Sequence, residues 1–447
     1  MSVMNAEVRP MKTAAEQTLA KLFVATQSSL AGGPEISACR EQAFRNFEAK
    51  GLPHRHIESW KYTDLRAVMR EAKGLAQAPN TDIRRRAADA CKALASVGSR
   101  RLVFVNGAFA AELSDVEAIE PGLKISSLAE ALSNGNPSVV ASIEGASPAS
   151  GDAVFSLNTA FMQDGAVIDV APGAVIARPL HLVFFYGSEE ASATVTRSLL
   201  KVGDGARITL IESHEGPDGV DYQCNNALDI SIGAGACLDH VKIISDGARS
   251  LHVDTLTVAV GKAATYRDFC LTIGGAVVRN QLFVRCTGSE ASIDLRGASL
   301  LKGSQHADTT LVLDHAVANC QSREMFKSVL EDDSRTIFQG KIIVRPDAQK
   351  TDARMVTRAL LLSETAEADS KPELEIFADD VQCGHGATAG ALDDELKFYL
   401  MARGIPAKEA EALLIQSFVG EALDVVEAES LKAALTQMTA DWLQGRG

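Results

Sequence analysis

The chain has 447 residues, enough for about three units at roughly 150 residues each and ample for a large buried core. Lys plus Arg total 44 against 58 Asp plus Glu, a net charge of -14, which removes the electrostatic footprint that nucleic acid or an anionic membrane surface requires. Hydrophobic residues make up 46% and aromatics only 5%, the composition of a soluble globular chain whose core is built from Val, Ile, Leu and Ala.

Glu16 and Lys21 interrupt the one apolar-looking stretch near the N-terminus, so no signal-peptide core is read there and a cytoplasmic location is expected. The eight cysteines lie at 39, 91, 224, 237, 270, 286, 320 and 383, without a Cys-x-x-Cys pair. Reduced thiols are expected, and no local set of four could hold a structural zinc or a cluster.

From Ala14 to Arg101 the pattern is helical: Leu19, Leu22 and Phe23 fall at helix spacing, and Ile83 to Leu94 is rich in Ala and Arg. Between these segments, Arg55 to Asp64 reads as a loop in which Trp60 and Tyr62 pin the chain to the body rather than catalyse. From Leu102 to Val344 short runs of Val, Ile, Leu and Thr alternate with glycine corners. The corners repeat: Pro172-Gly173-Ala174, Gly203 to Ala206, Gly233 to Ala236, Gly261 to Ala264 and Gly288 to Ala291 place their final alanines 32, 30, 28 and 27 residues apart. A unit of two or three short strands cannot bury its own inner face and must stack on its neighbours, which predicts a parallel β-solenoid. Propeller blades would be longer, and a sandwich has no reason to repeat.

After Val344, Thr351 to Leu362 reads as a helix or extended stretch closing the solenoid, Thr365 to Pro372 as a loop, and Glu373 to Ala378 as a strand. Cys383-Gly384-His385-Gly386 reads as a flexible turn. Asp393 caps a predicted helix running to Arg403, Pro406 opens a second with Leu413, Leu414, Phe418 and Leu423 as its apolar stripe, and Leu431 to Leu443 forms a third. The division is therefore an N-terminal helical region (1–101), a β-helix core (102–350) and a C-terminal region (351–447).

Phosphate-loop, Gly-x-Ser-x-Gly and His-Glu-x-x-His motifs are absent from the sequence. Cys383 and His385 are a thiol and an imidazole two residues apart, donors that suit a soft metal, although two ligands do not complete a site. His240, His252, His306 and His315 are expected in the core or at its rim. Asp254, Asp294 and Asp308 are expected at solvated strand edges rather than as the paired carboxylates of a carbohydrate-active β-helix enzyme.

Arg335 to Val344, Asp347 to Ala353, Leu360 to Ser363, Pro372 to Ile376, Ala378 to Val381, His385 to Thr388, Phe398-Tyr399-Leu400 and Arg403-Gly404-Ile405 together resemble, in order, the SufB/SufD family of iron-sulfur cluster assembly proteins. Trp60-Lys61-Tyr62-Thr63 and the glycine at 386 place the likeness on the SufD branch. The resemblance implies a mainly β fold, a right-handed parallel β-helix between helical ends. It implies a non-catalytic scaffold that pairs with SufB through the β-helix end and docks the ATPase SufC through Leu392, Phe398, Tyr399, Arg403, Leu413, Leu414 and Phe418. No cluster would be held stably by the chain alone. A transient iron-sulfur cluster would form at the SufB interface, with His385 the preferred ligand and Cys383 beside it. Two readings compete: a carbohydrate-active β-helix enzyme, and a self-sufficient homodimeric scaffold.

Overall fold

The computed structural model describes residues 12–89, 92–145 and 147–445. Its centre is a parallel β-solenoid in which successive strands alternate between two sheets, of ten and nine strands. From Ala193–Val202 to Gln382–Gly390, every strand lies in register on the strand two before it, so one coil occupies one strand of each sheet. Leu210, Leu238, Leu295, Leu311 and Ile342 belong to the apolar lumen between the sheets.

The glycine corners divide into two roles. The residue before each corner alanine, or before Cys320 and Thr351 at the same place in later coils, has positive φ: Gly173, Gly205 and Gly235 in the early coils, then Ala263, Glu290, Asn319 and Lys350, with φ between 51° and 70°. The other corner glycines are there for contact. A Cβ on Gly203, Gly233, Gly261 or Gly288 would lie 2.0–2.6 Å from an atom of the preceding coil, which explains why they stay glycine while the positive-φ position drifts.

Helices cover the outer faces. Ala14–Thr26, Pro34–Lys50 and Ala153–Phe161 contribute to an apolar layer with Val195, Leu199, Leu251 and Val253 on the nine-stranded sheet. Ala407–Leu423 and Glu429–Gln444 form a second layer with Ile243, Phe269, Leu300 and Val329 on the ten-stranded sheet. The N-terminal layer is reinforced by the Trp60 loop: the indole N–H donates to Asp152 at 3.1 Å, and Arg279 lies over the ring at 4.5 Å. Arg279 also pairs with Asp308, which accepts from Thr63. The aromatic loop is thus a tether between the helical layer and the solenoid.

Several expectations are corrected. Helices Leu128–Ser133, Pro137–Glu144 and Ala153–Phe161 interrupt the segment read as continuous β-repeat. The parallel stacking continues past residue 350 through Asp352–Leu361, Glu367–Ile376 and Gln382–Gly390, so the stretch left open between helix and extended is extended, and the segments read as a loop and a turn are strands. Asp254 and Asp308 are not solvated edges but are buried, and Asp294 is half-buried against Arg296 at 2.9 Å. The three helices after Asp393 form as expected.

Midway along, the lumen turns polar. His240 sits between Glu212 Oε1 at 2.8 Å and Asp268 Oδ1 at 2.7 Å, and Lys242 reaches from one sheet to Asp254 on the other. Burial alone would push His240 down, but Asp268 and Glu212, one on each ring nitrogen, overcome it and raise it to about 9. Because the folded value lies above the ordinary 6.5, the stability that His240 contributes is complete below about pH 6.5 and is lost as the pH rises through about 9. Urea unfolding of the wild type and of His240→Gln is expected to show a stability gap that narrows across that window. A gap of constant size would show that the imidazole carries no charge in the fold.

Candidate functional site

The last two strands leave the solenoid open. Glu367–Ile376 ends one sheet and Gln382–Gly390 the other, and each pairs along only one edge. The opposite end is finished by short antiparallel pieces, Ala108–Phe109 and Leu123–Ser127. Beside the open edges, Ile376 and Phe377 are exposed. A parallel edge with unpaired backbone groups and exposed apolar side chains is a template for another chain.

Cys383 and His385 lie on this terminal strand, paired to Ala353 and Met355 of the preceding coil. Alternation along the strand puts both on one face. Cys383 packs against the lumenal core and is half-buried, whereas His385 is exposed, because no further coil covers it. Burial pushes the Cys383 thiol up, offset in part by the Ala353 backbone, so the group is a thiol rather than a thiolate at neutral pH. Gly384 and Gly386 are on the other face, and a Cβ on either would meet open space. Neither has positive φ, so they do not serve a turn; they leave the outer face of the last strand bare for close backbone approach.

The seven residues read as docking positions divide between exposed and packed. Helix Asp394–Ala402, capped by the Asp393 carboxylate on the amides of Glu395 and Leu396, has no buried residue. Phe398 is 72% and Tyr399 53% exposed, with Leu396 and Met401 also exposed, and Arg403 stacks over Tyr399 at 4.5 Å. Leu413 is exposed on the next helix. Leu392 and Phe418 instead pack against the helical layer, Phe418 under the Lys327 ammonium at 4.4 Å, and Leu414 is half-buried. The second of these helices is therefore part core: Ile415, Val419 and Leu423 of Ala407–Leu423 are buried on the sheet.

The open edge of Glu367–Ile376 was missed in the sequence, although Pro372 marks it, since proline within a sheet is confined to edge strands and bulges. Of the carboxylates considered for glycoside chemistry, Asp254 and Asp308 are each buried against a cation and do not form a pair facing a cleft. Among the described residues no helix is long and apolar enough to cross a membrane.

Fold and site together define a β-solenoid with helices on both outer faces and one unsealed end that carries a thiol and an imidazole. Residues 13–182 match the SufBD protein N-terminal region, and residues 184–418 match the SufBD core domain of SUF-system FeS cluster assembly. The chain is 30% identical over 418 residues to the iron-sulfur cluster assembly protein SufD of Escherichia coli K12, covering 93% of this chain and 95% of that protein. It is also 30% identical over 398 residues to an iron-sulfur cluster assembly SufBD family protein of Synechocystis, covering 86% of each. The chain belongs to the SufBD family of iron-sulfur cluster assembly proteins.

The two C-terminal helices should respond differently to truncation. Ile415→Ala removes a fully buried side chain and is expected to cost about 2–5 kcal/mol in urea unfolding. Phe398→Ala, on the exposed helix, is expected to stay within about 0.5 kcal/mol of the wild type. A large loss for Phe398→Ala would show that the helix is part of the core.

Proposed function

We propose that the chain is a non-catalytic scaffold subunit for iron-sulfur cluster assembly. It pairs through its open solenoid end with a SufB-type partner and docks a SufC-type ATPase through the exposed face of helix Asp394–Ala402. The observation that carries this reading is the unpaired strand Gln382–Gly390, which presents His385 and Cys383 where a second chain would complete the sheet. The cluster is cargo shared across that junction. His385 supplies an imidazole lone pair toward the partner's iron, and Cys383, held protonated by partial burial, enters only if metal displaces its proton. The isolated chain holds no stable cluster, because the junction supplies too few donors from one side. A homodimer through the same edges is the form expected when the partner is missing.

His385→Ala removes a donor from an exposed position without adding bulk, so the complex should assemble. Its cluster content after anaerobic reconstitution should fall about tenfold or more, while Cys383→Ala should be milder. An intact His385→Ala complex with wild-type cluster content would refute the ligand role. For the ATPase, Phe398→Ala combined with Tyr399→Ala should abolish co-purification of the ATPase and leave SufB-type pairing intact; unchanged ATPase recovery would place its dock elsewhere.

A further inference from the structure

The solenoid corners hold a second set of soft donors, away from the open end. Along one lumenal column the strand-end residues are Val202, Ile232 and Val260, then Cys286 and His315, then Val344 and Ile376. At the adjacent corner the small residue is Ala206, Ala236, Ala264 and Ala291 in successive coils, and then Cys320. Three positions that the preceding coils keep apolar thus become Cys, His and Cys at one corner of neighbouring coils. Packing does not require this, since the coils on either side place Val260 and Val344 in the column and Ala291 and Thr351 at the corner.

The three side chains are buried, and one ligand atom from each lies within 4.8 Å of the others. Cys286 Sγ is 3.7 Å from His315 Nδ1, close to the edge of about 3.6 Å that a tetrahedral zinc-type site sets between sulfur and nitrogen donors. The other ring nitrogen, Nε2, is 3.1 Å from the Ser322 hydroxyl, the arrangement that fixes a ligating imidazole and leaves Nδ1 free to coordinate. Cys320 Sγ touches the carbonyls of Gly288 at 3.5 Å and Ala318 at 3.7 Å and lies against Cys286 and His315, contacts that a weak S–H donor gives up at little cost. Glu324, in the same lumen, is buried with neither carboxylate oxygen hydrogen-bonded, and it is near enough to act on Cys286.

We propose that Cys286, His315 and Cys320 form a three-ligand site for a thiophilic divalent cation of the zinc or ferrous class. Water or an incoming ligand takes the fourth position, and each thiol releases its proton to solvent as its metal–sulfur bond forms. The site does not depend on the reading given for the open end. Because it is enclosed, it fills while the chain folds.

The test uses Co²⁺ as the probe. The untagged full-length chain is produced in cells supplied with Co²⁺, purified without oxygen, and examined for bound cobalt and for thiolate-to-cobalt charge-transfer absorbance. The variants Cys286→Val, His315→Val and Cys320→Ala restore the residues the repeat uses elsewhere, so the fold is retained and circular dichroism verifies it. The wild type is expected to carry about one equivalent of cobalt with the charge-transfer band, and the triple variant at least tenfold less. His385→Ala and Cys383→Ala are expected to keep the band, which separates this site from the open end. Wild-type protein with no more cobalt than the triple variant, or with Cys286 and Cys320 joined as a disulfide, would overturn the proposal. So would a band that disappears in His385→Ala.

Discussion

A parallel coil cannot finish itself. Each coil borrows its hydrogen-bond ladder and half of its apolar contacts from the coil beside it, so the first and last coils must be sealed by something else. At the first end the chain seals itself, with short antiparallel strands that blunt the edges. At the last end Glu367–Ile376 and Gln382–Gly390 stop without cover, and the residues that the family resemblance singles out lie there. The position of His385 at the rim and the half-burial of Cys383 below it both follow from the absence of a further coil.

The same constraint explains the interior. Both outer faces are roofed by helices, so both sides of many strands are buried, and charged residues between the sheets must pair with one another. Glu212, His240, Asp268, Lys242 and Asp254 satisfy each other across the lumen, and Arg279 with Asp308 anchors the Trp60 loop. Such networks cost desolvation, and losing one member leaves an unpaired charge, which fixes the register of coils whose apolar residues are largely interchangeable.

The solenoid was legible because its corners are chemically special. The contact glycines and corner alanines recur whatever the strands between them contain, and the terminal helices carry ordinary caps and apolar spacing. The last three strands were only partly legible: Thr351 to Leu362 stayed open between helix and extended stretch and Glu373 to Ala378 read as a strand, but Lys371-Pro372, Gly384 and Gly386 read as loop when an edge strand needs little packing. Asp254 and Asp308 were misread since alternation predicts one wet face, and here neither face is wet. Cys383 and His385 stood out as a pair from spacing and gained a role only through the family resemblance. Cys286, His315 and Cys320 were hidden by their separation in sequence, and the missed signal was Cys320 standing where the repeat has alanine.

The central claim is that the unsealed end, and not the capped one, is where a second chain completes the fold. Amide hydrogen exchange across the full chain, with and without a SufB-type partner, tests it directly. Strong slowing along Gln382–Gly390 and Glu367–Ile376, with little change at Ala108–Phe109 and Leu123–Ser127, is the predicted result. Unchanged exchange in the last two strands, with protection at the first ones, would contradict the account.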